Sequence, residues 1–539
     1  MFIEILNILL ELLKNERTEP VPERKRSRRH PTTMDNLSIF TAIALCAALI
    51  WWVISTLMSP LRQYPGPFLA KWTNVWRLYQ VRSQKYQWTI QELHKKYGPV
   101  VRIGPNLLDL DYPELIKTIY GTDNRWLKFY LNNSTIVGGK ISHNIFGTTS
   151  PAEHTQMKKP MAKYYSSSNV LTLESKMNQV IEELCKQIDD RFLKGTESFD
   201  LAEWFSLYTW DIIGFLTFSQ SFGYMIKGHD FDETIMASAL SVEYFAQIGQ
   251  VPFMDRLLNK NPIVRIGPPD MSHITHFAIT QLQRRLEQRD QDIHLEEPDF
   301  LDHFIDGMNR NPDSVDASLV LNFLLGNILA GADTTSIALR AIFDFLLQNP
   351  HAMAKLKAEI LAEGFDDDAV VPYSTARSLP YLDAVVRESL RMHPSVAMPL
   401  ERYVPDTGLT LPDGSFVPPG VSVGLSPYII GRNERVWGED ANEFRPERWL
   451  KTEDEDDEDY QRRLRKMNSA DLTFGGGSRI CIGRHIALIQ IYKVVATLVS
   501  RLCNKFSKSA QSQPISSGSI GILNGWPENG SSMLSSIEK

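Results

Sequence analysis

Between Leu37 and Met58 the chain reads LSIFTAIALCAALIWWVISTLM, a run without one charged residue. About 22 residues at ~1.5 Å rise reach ~33 Å, enough to cross the hydrocarbon core of a bilayer. A buried globular helix or a cleaved signal peptide has a similar composition. The length of this run and the Trp51-Trp52 pair near one end favour a membrane span. The chain is therefore expected to divide into an anchor over 37–58 and a far larger body. The stretch YPGPF, Tyr64 to Phe68, has prolines that cannot continue a helix, so 60–68 is read as a stiff hinge into a domain over 69–539.

That body has ample length for a large core. Of the 539 residues, 43% are hydrophobic and 22% charged, the profile of a globular protein. A net charge of -7 and the lack of a basic, aromatic-rich stripe argue against nucleic acid as a partner. Periodicity is mostly helical up to about residue 380, as in LESKMNQVIEELCKQIDDRFL. Short strand-like pieces occur in PVVRIGPNLLDL and FVPPGVSVGLSP. The expected fold is mainly α with small accessory β-sheets. The acidic run Glu453 to Asp459, followed by RRLRK, reads as a solvated loop and helix face.

The cysteines are Cys46, Cys185, Cys481 and Cys503, with no Cys-x-x-Cys pair among them. A zinc ribbon or a locally held iron–sulfur cluster is therefore disfavoured. Cys481 stands in FGGGSRICIGRH, Phe474 to His485. A lone thiol in so bare a backbone serves as buried filler, as a nucleophile or as an axial metal ligand. A nucleophile needs a base, and only His485 stands near it in sequence. Glycine-rich backbone lets a flat cofactor approach, N–H groups and the start of a following helix stabilise a thiolate, and Arg479 has the reach to pair with a carboxylate.

Two more stretches carry chemistry. In LPYLDAVVRESLRMHP, Glu388 and Arg391 are three apart and share a helix face, the spacing of an ordinary ion pair. In GNILAGADTTS, Gly331 lies inside a helical pattern at a cost of about 1 kcal/mol relative to alanine. Gly326, Ala330 and Thr334 recur on one face of that helix, and the first two are small. Taken alone, Thr334 would bond the carbonyl four residues back and Asp333 would face water.

Together these motifs resemble the cytochromes P-450. FGGGSRICIG is similar to the family's Phe-x-x-Gly-x-Arg-x-Cys-x-Gly signature, matched at Phe474, Gly477, Arg479, Cys481 and Gly483. Glu388 and Arg391 match its Glu-x-x-Arg pair, and Arg448 in FRPERW matches the arginine completing that triad. Ala330 to Thr334 match the oxygen-side helix motif. The likeness covers most of the chain and is greatest to fungal microsomal members of the pisatin demethylase type.

The resemblance implies a P-450 fold and haem b with Cys481 as axial thiolate. It assigns Thr334 to hydrogen-bond the dioxygen that the cofactor binds and Asp333 to relay protons. It further implies a propionate contact at His154; Lys158 stands where the family often has arginine. Val396, Ala397, Met398 and Leu400, with SIGILNG near residue 520, are candidate pocket residues beside Gly326 and Ala330.

The expected activity is oxidation of an apolar small molecule, as in fungal secondary metabolism, with O₂ and with electrons from NADPH through a separate reductase. A basic patch including Lys159, Lys163 and Arg484 would meet that reductase, and cytochrome b5 is a further candidate partner. A haem-thiolate isomerase or dehydratase and a haem-binding sensor are the alternatives. The expected location is the endoplasmic reticulum membrane, single-pass, with the catalytic domain cytosolic. Lys25, Arg26, Arg28 and Arg29 before the span oppose that topology. Starting at Met34 restores it, so residues 1–33 are expected to be absent from the mature protein or unnecessary for activity.

Overall fold

The computed structural model describes residues 32–510, apart from 124, 129–133, 138–139, 194–198, 262, 265, 270, 292–294 and 367–368. The candidate residues near 520 and the stretch before Thr32 lie outside the described residues. The chain separates into two units, Met1–Ser59 and Pro60–Lys539.

In the first unit, helix α1 (Thr32–Leu57) contains a window, Phe40–Leu57, with mean hydropathy 2.1 and none of it buried. Phe40, Leu45 and Trp51 are each 71% exposed, an arrangement that water penalises and a bilayer does not.

The second unit is mostly helical, and its longest helix explains much of the layout. Helix α5 (Ala317–Gln348) starts where the Asp316 side chain accepts from the Leu319 N–H at 2.8 Å, and Asn349-Pro350 ends it. It too is long and apolar enough for a membrane, with mean hydropathy 1.3. Yet Val320, Leu324, Ile328, Ala332, Ile342 and Leu346 are buried in the main hydrophobic core. It is thus an internal strut. Around it pack α3 (Leu201–Phe218), α6 (Pro380–Met392) and α7 (Arg484–Ala510). Gly331 has a packing reason: a Cβ there would lie 2.9 Å from Ile213 of α3, so the glycine lets the two helices close up.

The strand-like stretches near residues 100 and 420 form one sheet. Its order is β1-β2-β9-β6-β3, with β1 Val100–Gly104, β2 Leu107–Leu110, β3 Leu127–Lys128, β6 Arg402–Tyr403 and β9 Ser422–Gly424. β2 runs parallel to β9, Leu108 opposite Val423, and the remaining pairs are antiparallel. Two hairpins, β4 with β5 (Ser134–Val137 and Lys140–His143) and β7 with β8 (Leu409–Thr410 and Phe416–Val417), stand apart.

The proline-rich stretch read as a hinge is laid against β1. Pro65 O accepts from Arg102 N at 2.7 Å, Tyr64 is buried, and its hydroxyl donates to Phe416 O at 3.1 Å. A Cβ on Gly66 would fall 2.1 Å from Arg102 O, which is why the residue between the two prolines is glycine.

Candidate active site

The Cys481 loop connects the 3₁₀ turn Gly477–Arg479 to α7. Cys481 N donates to Phe474 O at 2.9 Å, closing the loop on itself, and Phe474 packs on the main core. Gly477 has φ +58°, and a Cβ on it would lie 1.5 Å from Tyr120 O. No other residue fits there.

Cys481 itself is exposed, yet burial by surrounding protein pushes its thiol up, against the Gly483 N–H, Arg484 and Lys158, which pull it down. Those two facts place the sulfur on the wall of a cleft. The N–H groups and following helix, expected to hold the free thiol ionised, are outweighed by desolvation; a coordinated metal ion deprotonates such a thiol outright.

The wall of α5 has the same character. Ala332, Asp333, Thr335 and Ser336 are buried, whereas Leu329, Ala330 and Thr334 are exposed on a helix otherwise sunk in the core. Gly326 belongs to this face, and a Cβ there meets nothing within 4 Å. The Thr334 hydroxyl donates to Ala330 O at 2.7 Å, the backbone bond its sequence position suggests, leaving its oxygen able to accept. The carbonyl of Thr334 accepts from Ser395 Oγ at 2.9 Å. Val396, next to that serine, is 49% exposed, while Ala397 and Met398 pack on a separate cluster near β1 and Leu400 on the cluster around the sheet.

Asp333 is placed elsewhere. Taken alone it would face water, and the resemblance makes it a proton relay; its carboxylate instead points into the protein and is 6% exposed. It accepts from Trp210 Nε1 at 3.1 Å and from Ser238 Oγ at 2.7 Å. Consecutive helical residues point about 100° apart, so one can face a cleft and the next the core.

Near the Cys481 loop, a small cleft is lined by Tyr120, His154, Arg402, Ser478 and Arg479 among others. His154 is buried on α2 (Pro151–Met161), a helix capped by Ser150. Arg479 donates to Thr148 O at 2.9 Å, and burial, then Arg402, pushes its pKa down to about 10. Sequence reasoning missed Arg402, a strand residue over the Tyr120 ring; the only signal is a lone cation within LERYVP. Lys158 stays out of the cleft lining: its ammonium donates to Ser478 O at 2.8 Å and steadies the loop.

The triad is fully buried. Glu388 accepts from Arg391 Nη2 at 2.7 Å and Nε at 2.8 Å, from Arg448 Nε at 3.3 Å, from Trp449 Nε1 at 3.0 Å and from Arg445 N at 3.0 Å. Arg391 then reaches Ala441 O and Glu443 O, and Arg448 pairs with Asp440 at 2.6 Å. The pair that resembled a surface ion bridge instead clamps α6 to the segment 431–449.

These parts fit one kind of cofactor. The Cys481 loop offers a soft ligand on backbone bare enough for a flat ring, and the cleft beside it holds two neighbouring guanidiniums, Arg402 and Arg479, whose mutual repulsion a pair of carboxylates relieves. Such a site defines a haem-thiolate protein. In agreement, the family model described as Cytochrome P450 matches residues 65–529. The chain is 46% identical to the cytochrome P450 monooxygenase cfoH of Aspergillus candidus, over 86% of each chain. It is 36% identical to a cytochrome P450 monooxygenase of Aspergillus terreus, over 85% of this chain and 94% of that one. With the monooxygenase mfmA of Annulohypoxylon moriforme it shares 34% over 86% and 92%. The chain belongs to the cytochrome P450 family and is a haem-thiolate monooxygenase. Membership brings with it a small-molecule substrate and a redox-partner reductase.

Proposed function

We propose that this chain hydroxylates an apolar secondary metabolite at a site walled by Ala330, Thr334 and Val396, with Cys481 as the thiolate that would hold the haem iron. The observation that carries this reading is the open face of α5, exposed at Leu329, Ala330 and Thr334 in the middle of a buried helix. Bound haem supplies the activation of O₂, so that substrate, O₂, NADPH and a proton become hydroxylated product, water and NADP⁺. The chain's residues do the rest. Small side chains at Gly326 and Ala330 leave room for substrate, apolar ones exclude water, and the Thr334 oxygen, its own hydrogen resting on Ala330 O, is placed to accept a hydrogen bond and so orient a proton donor in the groove. Arg479, Arg402 and His154 hold the cofactor's carboxylates. Exposed Lys159 and Lys163, with Arg484, form the basic face offered to the reductase and to cytochrome b5.

Thr334→Ala is expected to keep its haem but lose about tenfold or more in product per NADPH, the electrons appearing as peroxide. The assay is metabolite profiling and NADPH stoichiometry with a co-expressed reductase. Unchanged coupling would remove Thr334 from the reaction.

We further propose that α1 fixes the chain in the endoplasmic reticulum membrane with the larger unit cytosolic. That unit has apolar surface of its own, with Phe68 71%, Leu69 59% and Tyr79 67% exposed. On protease treatment of intact microsomes the larger unit should be degraded; a protected catalytic unit would reverse the orientation.

A further inference from the structure

Helices α3 and α5 are joined by a row of polar bonds in an otherwise apolar interface. Arg340 Nε donates to Ala202 O at 2.9 Å, Arg340 Nη2 donates to Ser206 Oγ, Ser206 Oγ meets Ser336 Oγ at 3.1 Å, and Trp210 Nε1 donates to Asp333 Oδ1 at 3.1 Å. The rungs advance by one helical turn each, 202, 206 and 210 on α3 against 340, 336 and 333 on α5. They fix the rotation of α5 about its own axis. The last rung lies one residue from Thr334.

Among these rungs, that one reaches a third helix. Ser238 Oγ donates to Asp333 Oδ2 at 2.7 Å, and Ser238 belongs to α4 (Thr234–Ile248). Only Thr234, Ser238, Gln247 and Ile248 of this helix are buried, so Ser238 is its one deeply buried polar side chain away from the ends. With Trp210 on one oxygen and Ser238 on the other, Asp333 holds three helices together at the turn that carries Ala330 and Thr334.

We propose that Trp210 and Ser238 are positioning residues which act through Asp333 to set the shape of the Ala330–Thr334 groove, so that the placement of α4 is read out at that groove. Asp333 thereby acts as a joint between helices. The proposal rests on the reading of that face as the reaction site.

The test uses the full-length, haem-loaded chain and imidazole as a probe of the groove, its affinity followed by the spectral shift on binding. Ser238→Ala is expected to change imidazole affinity about fivefold, and Ser238→Thr, which keeps a hydroxyl donor, to stay within about twofold of the parent. In an Asp333→Asn background, Ser238→Ala should add nothing further. Hydrogen exchange in 234–248 should rise in Ser238→Ala without haem loss. Trp210→Phe, which removes the N–H and keeps most of the ring, should act in the same direction. Unchanged imidazole affinity in Ser238→Ala, or effects of Ser238 and Asp333 that simply add, overturns the proposal. Should the Ser238 effects hold while Thr334→Ala leaves peroxide release unchanged, the joint stands and the role given to Thr334 falls.

Discussion

Cys481→Ala is expected to abolish the red-shifted Soret band of the ferrous–CO haem, the signature of a thiolate ligand. No other thiol can stand in. Cys185 is buried in the helix Glu174–Ile188 and Cys46 lies on α1. Cys503 lies a long way down α7 from the loop. The loop cannot move to recruit one, because Gly477 is wedged against Tyr120 O and Lys158 holds Ser478 O. His485, four residues on, is a poor substitute: its Nε2 lone pair already accepts from Arg484 Nε at 3.3 Å. The measurement is the reduced CO-difference spectrum of purified protein, with total haem determined independently. A persisting thiolate band would remove Cys481 from the iron.

Glu388→Gln should be nearly as damaging, by a different route. The substitution keeps the shape of the side chain and removes its charge, leaving two guanidiniums, Arg391 5% and Arg448 3% exposed, without their shared anion. Breaking a buried ion pair by removing one partner costs about 3–5 kcal/mol. A native protein is stable by only about 5–15 kcal/mol, so most of the margin is at stake. The amide NH₂ must also face donors that cannot accept from it. Low yield of haem-loaded protein and a thermal midpoint lowered by many degrees are the expected readings. Full haem content with an unshifted midpoint would show that the clamp carries no stability.

The site was legible in the sequence where its chemistry runs through consecutive residues. Cys481 with its glycines, and Glu388 with Arg391, are local patterns, and the helical spacing of Gly326, Ala330 and Thr334 puts them on one face of α5, where Ala330 and Thr334 are exposed. Arg402, Trp449, Trp210 and Ser238 were invisible for a common reason. Each meets its partner across 60 or more residues, Trp449 to Glu388 by 61, Ser238 to Asp333 by 95 and Trp210 to Asp333 by 123, and nothing in the local composition announces the meeting. The Asp333-Thr334 pair shows what adjacency in sequence leaves open. Adjacent residues read as one functional unit point to different surroundings, because a helix turns between them. Likewise the cost of Gly331 inside a helix had no local explanation, and Ile213 of α3 supplies one.

The pairing of β2 with β9 has a consequence for how the chain is made. Leu107 lies opposite Ser422, Tyr120 OH accepts from Leu425 N at 2.8 Å, and Arg479 reaches back to Thr148 O. A ribosome that has released β2 must synthesise some 300 more residues, at about 5–20 residues per second, before the strand's partner exists. For that interval the strand's backbone and its apolar side chains lie open to wrong partners, and loop closure over such a distance slows the correct pairing. With Cys481 as the proposed ligand, haem has nowhere to dock until about the last ninth of the chain appears. Production of this enzyme is therefore expected to be limited by chaperone supply and haem availability late in synthesis, with truncated chains that end before residue 420 unable to capture haem at all.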